Sequence, residues 1–317
     1  MNWRSIRRGR LALIASAALF AAGSASATGE PAAKAPPAAD LNGVTVIAPP
    51  KPNSLVDPTT QFVRERLPES TFSEQYPRFH DPICVKVQGL PPEFDAFIAK
   101  RVVEIATEVH APVATSERCT PNVHVIFDSR PQALLTDIAR RKDILLGFYW
   151  NPVGLKRLAD FQGPIGAWYV TATRDQFGEN RLEKHDPTDY LNPRVGRAGS
   201  RLSNGMGAEL EHSLILADAN KVAGEKIDTI ADYIAVLALA RWQGLARCNA
   251  IPTILNLMAE GCDKAVAPEA ATPADLALLT GLYAVDARES GSQQRATIAS
   301  AIRKADARPS PSPPGNR

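Results

Sequence analysis

The chain has 317 residues, 44% of them hydrophobic and 22% charged, with a formal net charge of +2 at pH 7. No basic stripe with interleaved aromatics occurs, which excludes a nucleic-acid surface. After residue 27 no apolar run approaches the ~20 residues of a membrane span, the longest being Ile234–Ala240.

The first 27 residues read as a secretory signal peptide. Arg4, Arg7, Arg8 and Arg10 form a basic head, and Leu11–Ala22 is an apolar core too short to span a bilayer. Ala25-Ser26-Ala27 supplies the small residues that a signal peptidase reads, so cleavage is expected after Ala27. Gly9-Arg10-Leu11, following Arg7-Arg8, fits the twin-arginine signal poorly. The expected location is periplasmic or secreted, with no integral membrane segment after cleavage. Removing the leader's four arginines from a net +2 leaves −2, so the basic pI is partly a property of the leader.

Thr28–Asp40 is Ala/Pro-rich and polar, and residues 28–43 are expected to be a disordered arm. A Pro-rich tail is expected over residues 307–317. Between them, residues 44–306 are expected to form a single α/β domain with a helical C-terminal subdomain. Val44–Ala48 ends at Pro49-Pro50 and reads as an edge strand or linker, and Thr60–Leu67 as a short helix.

Ile83–Gln88 alternates apolar and polar residues and predicts a strand. Pro91 and Pro92 open a helix in which Phe94, Phe97, Ile98, Val102, Ile105 and Val109 recur at helical spacing. Asn122–Phe127 predicts a strand, Pro131–Arg141 a helix, and Ile144–Trp150 a short strand. Ala167–Thr173 is aromatic and β-branched and predicts a strand, taken as an open edge. Gly178–Gly207 is polar, Gly-rich and aperiodic, and reads as a long loop.

Glu211–Ala217 predicts a strand, and Asp228–Ala246 a helix capped by Asp228 or Thr229. Thr272, with Asp275 three residues on, caps a helix running to Val285, and a last amphipathic helix covers Ser292–Ala305. The fold class is therefore α/β (α+β): a mixed sheet with flanking helices and a helical C-terminal part.

Cys84, Cys119, Cys248 and Cys262 all lie after the leader, and an even count in an oxidising compartment favours two disulfides. Of the three pairings, Cys84–Cys119 with Cys248–Cys262 is favoured, because each then staples a local unit. No pair has the close spacing of a zinc site.

His80, His110, His124, His185 and His212 do not cluster in sequence. His124 and His212 sit in strand candidates with Asp128, Glu209 and Glu211 nearby, and read as solvent-facing or hydrogen-bonded rather than ligating. His80-Asp81 and His185-Asp186 adjoin prolines and read as turns. No serine sits in a GxSxG elbow. Asp228 and Asp232 share one helix face as a carboxylate pair, with Asp228 assigned to capping.

The order strand–helix–strands–helix resembles the N-terminal half of the zincin metallopeptidases, in which the helix after the last strand carries HExxH. Here that helix is TIADYIAVLALARWQGL. TILNLMAEGC places Met258 where the Met-turn of the metzincin branch would follow, and TPADLALLTGLY is similar to its closing helix, with Asp275, Leu282 and Tyr283 as markers. The resemblance spans Ile83–Tyr283. The motif itself is missing. Asp232, Tyr233 and Val236 stand at its places, Val236 cannot ligate zinc, and no histidine lies on this helix or after it.

The resemblance implies a zincin-like scaffold without catalytic residues, metal or cofactor. Such a scaffold would bind a peptide or cell-envelope component through Asp232 and Tyr233, with Trp168 and Tyr169 on the Ala167–Thr173 edge. A periplasmic hydrolase with another site and a structural envelope protein are the alternatives. The whole chain also resembles bacterial exported proteins of no established activity that share a leader and the phrases ADYIAVLALA and LNLMAEGC.

Overall fold

Prolines start the first parallel unit. Val85–Gln88 alternates half-buried apolar and exposed polar residues and forms strand β1. Pro91 and Pro92 then stand at the N-cap and first position of helix α2 (Pro92–Glu108), where no N–H is required. The computed structural model describes residues 57–116, 118–147, 158, 160–175, 180–183, 206–263, 267–287 and 289–307. The leader, the 28–43 arm, Val44–Ala48, His185 and most of the tail lie outside the described residues.

Helix α1 (Pro58–Arg66) is capped by the Asp57 carboxylate, which accepts from the Thr60 N–H at 3.0 Å. Strand β2 (Val123–Asp128) runs parallel to β1 with Val123 opposite Val85. Helix α3 (Pro131–Arg141) follows. Strands β3 (Ile165–Asp175), β4 (Asn180–Leu182) and β5 (Met206–Asp218) complete a mixed sheet in the order β1-β2-β5-β3-β4. β5 is parallel to β2, and β3 is antiparallel to β5 and β4.

Helix α4 (Ile227–Ala238), a 3-10 turn at Ile254–Met258, and helices α5 (Pro273–Ala284) and α6 (Gly291–Asp306) form the C-terminal part. Both α5 and α6 start with capping boxes, Thr272 with Asp275 and Ser290 with Gln293. Among the described residues no helix is long and apolar enough to cross a membrane.

The sheet separates two cores. On one face Val123, Val125, Ile215 and Ala217 meet α2, α4 and α5 in the large core. On the other, Leu214, Leu216 and Trp168 meet Leu135 and Leu146. β5 is thus apolar on both faces over Leu214–Ala217, which is why that part reads as a continuous run rather than an alternation. Both disulfides pair as favoured, Cys84–Cys119 and Cys248–Cys262, with Cα–Cα distances of 5.9 and 5.1 Å.

Four expectations are corrected. Ile144–Trp150 does not begin as a strand: Asp143–Leu146 is a 3-10 turn closed by left-handed Gly147 (φ 77°), and residues 148–150 lie outside the described residues. Any Cβ at Gly147 would stand 2.3 Å from the Tyr169 carbonyl oxygen. The Gly178–Gly207 stretch contains β4 and the first residues of β5. Ala167–Thr173 is not open along its whole length, because β4 pairs with β3 over Ala172–Arg174. The helix expected over Asp228–Ala246 starts at Ile227 with Lys226 as N-cap and ends at Ala238. Thr229 instead donates to the Glu269 carbonyl oxygen at 2.7 Å.

Candidate functional site

The four residues expected to bind a partner are core residues. Asp232 is 4% exposed, Tyr233 3%, Trp168 1% and Tyr169 8%. Helix α4 is enclosed on every side, with all residues from Thr229 to Ala240 buried. Asp232 is held by the Arg101 guanidinium of α2, through Nε and through Nη2 at 3.2 Å, and by the Ala271 N–H at 2.8 Å. Asp228, one turn earlier, is exposed, so the two do not form a buried carboxylate pair.

Tyr169 contributes to the end of α4. Four successive carbonyl oxygens there accept from side chains: Val236 from Trp242 Nε1 at 3.0 Å, Leu237 from the Tyr169 hydroxyl at 2.8 Å, Ala238 from Ser213 Oγ at 2.9 Å, and Leu239 from the Tyr283 hydroxyl at 2.9 Å. These carbonyls are the ones a continuing helix would use, so tertiary donors stop it eight residues before Ala246. Tyr169→Phe strips one donor from a buried carbonyl. It is expected to cost about 1–3 kcal/mol in urea unfolding; a change within error would show that the bond contributes nothing.

The structure does bring two histidines together. His124 of β2 and His212 of β5 stack with ring centroids 4.9 Å apart, and His124 Nδ1 lies 2.7 Å from His212 Nε2. Burial, then the neighbouring His124, pushes His212 down to about 4. Burial, then Lys86 and Lys142, lowers His124. Both rings are neutral at pH 7, with one N–H directed at the other's bare nitrogen. His212 Nδ1 is buried with no hydrogen-bond partner among the described residues.

A pH dependence follows. The unfolded chain protonates His212 near 6.5, the folded chain only near 4, so stability is full above 6.5 and falls as the pH drops towards 4. Glu209 acts in the opposite sense. Burial raises its folded value to about 7, so its contribution is present below the ordinary carboxylate range and is lost as pH rises through 7. His212→Gln isolates the first effect. It is expected to remove on the order of 2–3 kcal/mol from the acid-side loss seen in urea unfolding at pH 7 and pH 4. An unchanged pH slope would refute it.

A second polar cluster surrounds Glu209, which is 1% exposed. Arg78 is its bridge partner beside β5. The Glu209 carboxylate accepts from the His80 N–H at 2.9 Å and from Arg174 Nη1 at 3.4 Å, and Arg174 also lies 3.8 Å from Asp81. Arg78 Nη2 donates to the Val285 carbonyl oxygen at 2.9 Å. Arg78 Nη1, His80 Nε2 and Glu289 Oε2 are buried without a hydrogen-bond partner among the described residues. Burial, then the Arg78 charge, pushes His80 down to about 4.

A carboxyl that titrates near neutrality can exchange protons. Its burial keeps it from solvent, so here it ties the 76–81 segment to β5, while Arg78 ties the same segment to the end of α5. Sequence reasoning missed this cluster by reading His80-Asp81 as a turn. The available signal was an acidic residue, Glu209, inside an otherwise apolar strand start.

Glu183, just past β4, is a third buried carboxylate. It accepts from the hydroxyls of Ser70, Thr171 (2.8 Å) and Thr173 (3.1 Å). Among the described residues no three His, Cys, Asp or Glu side chains converge as a metal site would require. Comparison with family models, with curated proteins and with solved structures finds no match.

Proposed function

We propose that the chain is an exported, disulfide-stapled binding scaffold of zincin-like organisation, without a catalytic zinc. The observation that carries this reading is the use made of the α4 positions. Asp232, at the first motif place, is committed to Arg101 and the Ala271 N–H. Tyr233 and Val236 are core residues. None of the three motif places on this helix is left to act as ligand or base.

The zincin-like organisation is supported by connectivity. α4 follows the last parallel strand, and Met258 closes a 3-10 turn. Asp275, which caps α5, also accepts from Thr253 Oγ1 and from the Ile254 N–H at 2.8 Å, joining that turn to the closing helix. Export is supported by the basic, apolar and small-residue order of the leader and by the pairing of all four cysteines.

A peptide or envelope partner adds as an extended strand at β1. Cys84 accepts from Val123, so the alternate residues Val85 and Val87 direct their N–H and C=O groups away from β2.

The test is the protein purified from the periplasmic fraction. Its expected mass starts at Thr28, zinc is substoichiometric, and casein is not cleaved. Stoichiometric zinc overturns the metal-free reading, and a cytoplasmic chain with its leader intact overturns export.

A further inference from the structure

We propose that Lys86, His124, His212 and Lys142, on the sheet face opposite α4, form a binding site for a small oxyanion such as inorganic phosphate. This goes beyond the scaffold reading and does not depend on it. Lys86 and His124 are direct register neighbours on β1 and β2, so their side chains share a face. His212 reaches the same place from β5, with Nε2 2.7 Å from His124 Nδ1. Lys142, immediately after α3, approaches His124 from a separate element and acts on its charge.

The helix α3 and the 3-10 turn pack on Ile126, Leu214, Leu216 and Trp168, the other half of this face. Among the described residues burial, Lys86 and Lys142 act on His124, and burial and His124 act on His212. The result is a site with an imidazole floor, half-buried at His124 and buried at His212, and an ammonium rim. His212 is 8% exposed with an unpartnered Nδ1, whereas Lys86 and Lys142 are exposed.

Charge selects the ligand. Two imidazoles without a third donor, flanked by two ammonium groups, disfavour a divalent cation. An oxyanion accepts charge-assisted hydrogen bonds from both lysines and an N–H from the imidazole pair. Its negative charge favours the imidazolium form, so binding near the ordinary histidine range takes up a proton from solvent. Occupation thereby relieves the cost of keeping the half-buried His124 neutral against two nearby cations and the buried His212 neutral beside it.

Titration calorimetry with inorganic phosphate at mildly acidic pH, in two buffers of different ionisation enthalpy, tests the proposal. Saturable binding with net proton uptake is expected, together with phosphate-dependent shifts of the His124 and His212 C2–H resonances. Lys86→Met removes one charge-assisted contact from an exposed position and is expected to weaken binding about tenfold while the melting temperature is unchanged. Either of two results overturns the site: no movement of the two imidazoles under millimolar phosphate relative to chloride, or unchanged affinity in the Lys86→Met, Lys142→Met double variant with native circular dichroism.

Discussion

Arg101→Met is expected to destabilise the protein by about 3–5 kcal/mol, because it leaves a buried carboxylate without its counter-charge. The Arg101 side chain is 34% exposed and that of Asp232 only 5%. The two losses are therefore unequal. With Asp232 removed, Arg101 can still turn to water and to Glu104, which lies 3.4 Å from its Nη1. With Arg101 removed, Asp232 keeps the Ala271 N–H as its remaining donor.

Asp232→Asn introduced into the Arg101→Met background is expected to recover a large part of the loss, since an amide needs no counter-ion. Urea unfolding of the two single variants and the double variant closes the cycle. If Arg101→Met lies within about 1 kcal/mol of the parent, the exposed-pair range applies and the pair is not a structural clamp. The pair joins α2 to α4, and the Ala271 contact joins α4 to the segment that leads into α5. A large effect would explain why this helix position carries an acid with no catalytic partner.

Removing the Cys84–Cys119 bond by Ser substitution at both positions is expected to cost about 4 kcal/mol, and the same change at Cys248–Cys262 about 3 kcal/mol. The difference arises from loop length, 35 residues of separation against 14. The longer loop also anchors an exposed part of the sheet. β1 is a four-residue strand at the sheet's end, and Cys84 sits immediately before it. Cys84 N–H donates to Asn122 Oδ1 at 2.8 Å, and Asn122 leads into β2. Denaturant unfolding of the two double-Ser variants under identical conditions measures both losses. Equal losses, or a larger loss at the shorter loop, would show that native contacts rather than chain entropy set the contribution.

Local chemistry was legible wherever one residue type decides a backbone outcome. Pro91 and Pro92 started α2, and the Thr272–Asp275 capping box started α5. The alternation in β2 is seen as alternating buried and half-buried residues. The helix end at Ala238 was not legible. Its stop signal lies in four donors at Trp242, Tyr169, Ser213 and Tyr283, three of them distant in sequence. Helical periodicity continues past that point, and local propensity yields to tertiary hydrogen bonding. The place of β3 was equally hidden, because an aromatic, β-branched run reads alike at an edge or inside a sheet.

The candidate binding residues show the same limit. Asp232 and Tyr233 attract attention in sequence because they stand at the places of the zinc motif, and Trp168 and Tyr169 because they lie on a strand taken as an edge. Burial assigns them to an ion pair, two cores and a helix-terminus bond instead. His124 and His212 lie 88 positions apart and carry no common motif. They meet only because β2 and β5 are neighbours, through a register that places Val123 opposite Ser213.

The sequence by itself determined the α/β class and the alternation of most elements, and it favoured, among three cysteine pairings, the one that keeps each staple local. These depend on spacing and backbone chemistry within a few tens of residues. Only the tertiary structure decided which polar groups are structural and which face a site. That outcome depends on strand order and on burial, where a charge or imidazole meets partners the chain supplies from elsewhere.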